Sequence, residues 1–298
     1  MLIDVVIVCF NSDSTLLELC MASVRKSAAF AKVPVRIVLF DNGSSSPLND
    51  DIVAGSDVRV IRSEQNLGFG MAANAAFRSS NGQQVLFLNP DAGLADAALS
   101  SLVRVSSVNP SALLVGWLEK ENGSVQVDAF MLWIFSVSRL VRRKNYAAQL
   151  TRDSGEVVKV QKVSGGALFG YRGVLDRFGP FDERFFLYGE DADLSLRASK
   201  AGVELLAVRS AKVVHVGAAS QKTYGVLVEK ARSDAAIRLG AYHLNFFASL
   251  VQRLELAFIT ALGLLFSRTS SSSKRARWAR MSEIARWGFA RDCDRFSP

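Results

Sequence analysis

Short apolar runs alternating with helical stretches constrain this chain more than any other feature. Ile3 to Phe10, Val35 to Phe40, Val58 to Arg62 and Val85 to Leu88 read as strands, and Ser14 to Phe30 and Gly68 to Ser79 read as the helices between them. Each strand ends in a polar turn: Asn11-Ser12, Asp41-Asn42-Gly43-Ser44, Asn66-Leu67-Gly68 and Asn89-Pro90-Asp91. The alternation predicts an α/β fold with a mostly parallel, Rossmann-like sheet flanked by helices. Open α/β sheets bind ligands at the carboxyl ends of their strands, so these turns converge on one functional edge.

Beyond Ala112 to Trp117 the pattern fades through Leu118 to Lys162, which reads as an insertion or an acceptor-side loop. Order returns at Ser164-Gly165-Gly166-Ala167-Leu168-Phe169, with further strands near Val203 to Val208 and Lys212 to Val216. The expected organisation is an α/β domain over 1–222 and a helical, basic region over 223–298. In the latter, Phe246 to Phe266 has the length of a membrane span, but Gln252, Arg253 and Glu255 fall in its middle. It therefore reads as an amphipathic or core-facing helix rather than a crossing one.

A net charge of +8 favours an anionic partner surface. Arg268 to Pro298 carries eight basic residues against three acidic ones, interleaved with Trp278, Trp287 and Phe289 after a Ser270 to Ser273 linker. That composition suits an anionic membrane surface; no nucleic-acid motif accompanies it, so nucleic acid is not an expected partner. Cys9, Cys20 and Cys293 have no metal-ligand spacing and form no even framework, which favours a reducing cytoplasm. Leu2 to Phe10 contains Asp4 and has no basic leader, so it reads as a strand rather than a signal peptide.

Four places carry candidate chemistry. Phe181 to Arg197, FDERFFLYGEDADLSLR, sets Glu190, Asp191 and Asp193 against Phe185, Phe186 and Tyr188. Clustered acids beside an apolar wall are how a protein makes a general base, although a helix start with acids in its first turn and an Asp193 to Arg197 pair looks the same. Asp41 in its Asp-Asn-Gly turn is able to accept an imide N–H from a pyrimidine base, or simply to make an Asx turn. Asp91 emerges at a strand end where Mg2+ or Mn2+ needs only one or two protein carboxylates, and His215 at another strand end is a natural nitrogen ligand that tilts the preference toward Mn2+. His243, on a helical stretch, reads as structural. Asn66-Leu67-Gly68-Phe69-Gly70 opens a helix but is no GxGxxG, and no Gly-rich loop follows the first strand, which argues against a dinucleotide fold and a P-loop.

The ordered series VVIVCFNS, DNGSS, NLGFGMAAN, FLNPDA, GGALFGYR and FDERFFLYGEDADLSLRASKAG resembles glycosyltransferase family 2, the inverting enzymes of GT-A fold, and within it the rhamnosyltransferase-like branch. The resemblance runs from about Ile3 to Ser220. It implies that Cys9, Phe10, Asn11 and Asp41 line the base and ribose site, with Asn66, Gly68 and Asn74 nearby. It implies that the metal-binding DxD signature appears as Asn89-Pro90-Asp91, with Asn89 in place of the first acid, and that His215 occupies a metal-ligating position. Gly166 and Ala167 would lie near the transferred sugar or the acceptor. Asp191 would be the catalytic base, with Glu190 and Asp193 supporting it. The implied reaction is metal-dependent transfer of a sugar, rhamnose from dTDP-rhamnose first and UDP sugars next, to a polyprenyl-diphosphate-linked envelope glycan at the cytoplasmic side of the membrane. A homo-oligomer is compatible with this reading. The rivals are an inactive nucleotide-sugar-binding or membrane-surface scaffold, suggested by Asn89, and a sugar-1-phosphate nucleotidyltransferase, which the sequence Cys9-Phe10-Asn11-Ser12 disfavours.

Overall fold

The computed structural model describes residues 1–46, 48–49, 52, 54–216, 225–266 and 271–296. The first strand, β1 (Ile3–Cys9), is buried at every position except the half-buried Val8, as a central strand covered on both faces should be. The acid within it, Asp4, is fully buried. Arg36 Nε donates to it over 2.9 Å, and the Gly82 backbone N–H donates to its other oxygen. A paired charge is the only kind tolerated there.

β1 is followed by α1 (Ser14–Ala31), β2 (Val35–Asn42), β3 (Val58–Ser63), α2 (Phe69–Arg78) and β4 (Gln84–Leu88). Asp13 caps α1 by accepting the Leu16 N–H over 3.0 Å. These four strands lie side by side as β3-β2-β1-β4, all parallel, within a single sheet ordered β3-β2-β1-β4-β8-β6-β9-β5. Its second half comprises β5 (Ala92–Leu94), α3 (Ala98–Val108), β6 (Leu113–Glu119), β7 (Val157–Lys159), β8 (Ala167–Tyr171) and β9 (Leu205–His215). Here the pairing is mixed: β8 runs antiparallel to both β4 and β6, β5 and β7 run antiparallel to β9, and only β6 with β9 is parallel. The first half of the sheet is wholly parallel and the second half mixed, in keeping with the expected α/β fold.

Two local expectations are corrected. Val203 to Val208 and Lys212 to Val216 are not two strands; they form the single strand β9, whose register against β6 shifts between Gly116 and Trp117. One irregularity absorbs the polar Arg209-Ser210 step that lay between the two expected strands. The region from Leu118 to Lys162 is not a loop throughout. It holds a 3-10 turn (Val127–Ala129) and α4 (Ser136–Arg152), whose first N–H groups donate to Glu255 at 2.8–2.9 Å. The cap comes from far along the chain, so local reading could not find it.

α5 (Arg172–Phe178) and α6 (Glu190–Lys200) lead into β9, and α7 (Gly225–His243), α8 (Phe246–Phe266) and α9 (Ser271–Trp287) complete the chain. Residues 271–273 belong to α9 rather than to a linker, and Ser270 lies outside the described residues. Residues 217–222 at the expected domain edge also lie outside them. The helical region packs on the sheet domain: His243 Nε2 meets Asp193 at 2.7 Å, Phe296 meets Phe186, and Arg295 donates to the Leu67 carbonyl. Much of the basic tail works as an internal clasp. Arg280 pairs with Glu229 at 2.8 Å, Arg286 with Glu283 at 2.7 Å, and Arg277 donates to the Gly263 carbonyl.

Candidate active site

At the edge formed by β1 and β2, the two strand-end turns hold each other. Asn11 adopts a left-handed φ of 47°. Its Oδ1 accepts from the Ser45 N–H and hydroxyl, both at 2.8 Å, while its own N–H donates to Ser44 Oγ. A pocket of about 330 Å3 opens there between Asn11, Ser12, Leu17, Ser44, Asn49 and Ile52. Phe10 is half-buried beside it, and its N–H donates to Ser12 Oγ. Cys9 is fully buried within the core, and burial pushes its thiol up to about 12.

Asp41 is also buried, accepting from the Ser44 N–H at 3.0 Å and pairing with Arg62 at 3.3 Å. Its carboxylate thus makes the Asx turn that the sequence allowed. Asn66 Oδ1 accepts from Asn42 Nδ2 and from the Gly68 N–H, closing the turn into α2. Gly68 has φ +76°, and a Cβ there would collide with the Phe186 carbonyl oxygen, so glycine is required. Asn74 is buried, its Nδ2 donates to the Phe181 carbonyl and to Glu183, and its Oδ1 accepts the Phe181 N–H. It clamps α2 to the 181–183 segment.

The turn after β4 brings Asn89, Asp91 and His215 together. Register does this, because Ala92 pairs with His215 where β5 meets β9. His215 Nε2 lies 3.1 Å from Asp91 Oδ1 and 3.0 Å from Asn89 Nδ2. On the other side of the ring, Nδ1 is 3.1 Å from Gln126 Oε1, and Gln126 Nε2 donates to the His215 carbonyl at 3.0 Å. The amide oxygen of Gln126 calls for a proton on Nδ1, leaving Nε2 to accept from Asn89 Nδ2 with Asp91 beside it. For a metal in octahedral geometry with ligands at about 2.1 Å, adjacent ligand atoms stand about 3.0 Å apart. The Asp91–His215 pair fits that edge, and one carboxylate with one imidazole is a donor set that Mn2+ accepts. Among the described residues no cluster of three or more His, Cys, Asp or Glu side chains is able to hold a metal, so the remaining ligands would be water and substrate oxygens. Gly166 adjoins this group, its carbonyl accepting the Asn89 N–H at 3.2 Å, and Ala167 pairs with Leu88.

The acidic motif behaves less uniformly than its sequence. Tyr188 at φ +68° and Gly189 at φ +83° reverse the chain so that α6 starts at Glu190, and a Cβ on Gly189 would press on the Phe185 ring. Asp191 lines a cavity of about 250 Å3 walled by Leu132, Trp133, Ile134, Ala235 and Leu239. Lys162 Nζ lies 3.3 Å from Asp191 Oδ2. The Asp191 Oδ1 atom has no hydrogen bond among the described residues. Asp193, expected to support Asp191, is buried, accepts from Arg197 and His243, both at 2.7 Å, and so ties α6 to α7. His243 is structural, as expected.

Glu190 is buried with Oε2 unpartnered; burial first, and then the Asp191 charge, push its carboxyl up to about 8. The folded protein thus keeps a proton that the unfolded chain releases near its ordinary value of 4.5. Stability from this group is fully present below that value and is lost as pH rises toward 8. Glu190→Gln is expected to match wild type near pH 5 and to exceed it in stability near pH 9. Thermal unfolding across that range checks this; parallel curves for the two proteins would contradict it.

Lys162 and Gln126 went unnoticed in the sequence. Neither stands in a patterned motif, and each acquires its role only through a contact across the fold. Lys162 has a further consequence, because four residues on, Gly166 touches Asn89. A stretch of that length spans at most ~14 Å, so one short piece of chain contacts both the acid at the start of α6 and the turn after β4.

The family model for "Glycosyl transferase family 2" matches residues 4–166. An "N-acetylglucosaminyl-diphospho-decaprenol L-rhamnosyltransferase" of Mycobacterium tuberculosis is 28% identical over 247 residues, covering 74% of this chain and 76% of that protein. An "N-acetylglucosaminyltransferase" of Bradyrhizobium elkanii is 32% identical over 106 residues, covering 34% of this chain and 57% of its own. Among solved structures, GalNAc-T7 with UDP, GalNAc and Mn2+ superposes with a TM-score of 0.64 at 17% identity, over 96% of this chain and 56% of that one. S. aureus TarS superposes with a TM-score of 0.53 at 16% identity, over 90% of this chain and 44% of its own. The chain spans about half the length of these two structures, and at such identities the likeness is one of fold.

Proposed function

The chain belongs to glycosyl transferase family 2, and from that premise we propose that it is an inverting, metal-dependent transferase. It moves rhamnose from dTDP-rhamnose to a hydroxyl of a polyprenyl-diphosphate-linked envelope glycan at the cytoplasmic side of the membrane. The mycobacterial relative, named for rhamnosyl transfer to a decaprenol-linked sugar, supports the sugar and the acceptor class; a UDP sugar is the competing donor. The family match ends at residue 166, so the roles of Asp191 and His215 rest on geometry. The observation that carries the reading is the bridge from Lys162, which touches Asp191, to Gly166, which touches Asn89 beside Asp91 and His215.

In this reading the acceptor hydroxyl enters the cavity beside Asp191, whose Oδ1 takes its proton. The freed oxygen attacks the anomeric carbon from the face opposite the diphosphate. A new glycosidic C–O bond forms as the bond to the diphosphate oxygen breaks, and configuration inverts. Lys162 orients the Asp191 carboxylate, while Leu132, Trp133 and Leu239 keep water from the reacting centre. Asp91 and His215 would hold Mn2+ or Mg2+, whose contribution when bound is to offset charge on the departing diphosphate. The turns at Asn11, Asp41 and Asn66 frame the base and ribose end.

The test is calorimetry with thymidine, uridine and guanosine diphosphates, with and without Mn2+, on wild type and Asp91→Ala. Metal-dependent binding selective for one base and lost in Asp91→Ala is expected. No diphosphate binding under any condition would overturn the transferase reading in favour of a scaffold.

A further inference from the structure

Helix α8 is built inside out. Its polar side chains Ser249, Gln252, Arg253 and Thr260 are buried, while Phe247, Val251, Leu254, Phe258, Leu262 and Leu265 are exposed, from 38% at Leu262 to 77% at Phe247. The inward polar groups are held. Gln252 Nε2 donates to the Ala236 carbonyl at 3.0 Å, and Arg253 donates to the carbonyls of Gly288 and Ala290 at 2.7 and 2.6 Å. The exposed residues recur every three or four positions, so they form one stripe roughly 27 Å long. Soluble monomers rarely present so continuous an apolar face.

Neighbouring elements extend it. Glu255 on α8 caps α4, whose Val137, Leu140 and Val141 are exposed. Arg277 of α9 donates to the Gly263 carbonyl near the C-terminal end of α8, so α9, with its exposed Lys274, Arg275 and Trp278, packs against that end. Both helices packed against α8 carry exposed cations, since α4 bears Arg142 and Lys144 and contains no acid.

We infer that the outward stripe of α8, with Val137, Leu140 and Val141 of α4 and Trp278 of α9, docks on an anionic lipid bilayer. Charge decides among occupants. A second copy related by twofold symmetry would set these basic helices against each other, whereas an anionic leaflet attracts them by about 1 kcal/mol per cation near the surface. The helix is long and apolar enough to cross a bilayer. Its ties through Gln252, Arg253 and Glu255 instead hold it flat against the protein, which is the posture of an interfacial helix. The cavity wall rests on the same helix, because Gln252 Nε2 also donates to the Ile134 carbonyl at 3.4 Å.

Docking is independent of the proposed reaction and is measured without donor or acceptor. Co-sedimentation of the full chain with mixed phosphatidylcholine and phosphatidylglycerol vesicles is compared with pure phosphatidylcholine. Wild type is expected to bind the anionic vesicles preferentially. Phe247→Ser, Leu254→Ser and Phe258→Ser combined should lower the partition by at least about tenfold, with no loss of thermal stability because all three side chains are exposed. Lys274→Glu with Arg275→Glu should weaken binding to anionic vesicles. Absence of wild-type binding, or a triple variant that binds as wild type does, would overturn the inference. So would a wild-type dimer in sedimentation that the triple variant abolishes, since that result assigns the face to a second copy.

Discussion

Asp191→Asn is expected to lower sugar transfer by about two to four orders of magnitude, the usual contribution of a positioned general base. Asparagine keeps the shape of the side chain at the first turn of α6 and removes its capacity to take a proton. Asp191 is chosen over its neighbours on geometry. It lines the cavity together with Lys162, Asp193 is locked to Arg197 and His243, and Glu190 is buried and holds its proton into the neutral range. Initial-rate assays with a nucleotide-sugar donor measure the loss, and calorimetry on the same variant should show unchanged diphosphate affinity. Retention of more than about a tenth of wild-type rate would remove Asp191 from the base role.

Arg238→Ala is expected to destabilise the protein by about 3–5 kcal/mol, the cost of breaking a buried ion pair from one side. Arg238 is fully buried. It donates to both Asp234 oxygens at 3.2 Å, to the Tyr242 hydroxyl at 2.8 Å, and to the carbonyls of Cys293 and Asp294 at 3.1 Å. Its loss leaves Asp234 buried with Arg286 and Trp287 Nε1 as its remaining partners, and detaches the C-terminal segment from α7. Denaturant unfolding reads the change. Arg238→Met with Asp234→Leu should recover part of it, because removing both charges relieves the desolvation that removing one exposes. A single variant within about 1 kcal/mol of wild type would contradict the assigned role.

These contacts mark where sequence reading reaches its limit. Asn74 follows Asn66 and Gly68 in one motif, and its amide closes a contact with Phe181 and Glu183 over a hundred positions away. Asp193 and Asp191 are two residues apart in one acidic run, and only their facing neighbours distinguish them: His243 and Arg197 for the first, Lys162 for the second. The basic tail suits an anionic membrane surface by composition, and the fold divides it: Arg277, Arg280, Arg286 and Arg295 bind acceptors within the protein, while Lys274 and Arg275 stay exposed.

The sequence by itself determined what depends on neighbours along the chain. The parallel strands β1 to β4, the helices between them and the polar turns at their ends follow from the period and length of apolar runs and from turn-forming Asn, Asp and Gly. The ordered motifs likewise identified the family. Tertiary structure alone decided what depends on residues distant in sequence. It joined Asp91 to His215 by strand register and Asp191 to Lys162 across the fold, and it turned the polar side of α8 inward. The physical reason is that a helix's periodicity separates its two faces without stating which one is covered. That choice was made by carbonyls at 236, 288 and 290, which offered Gln252 and Arg253 the hydrogen bonds that burial requires.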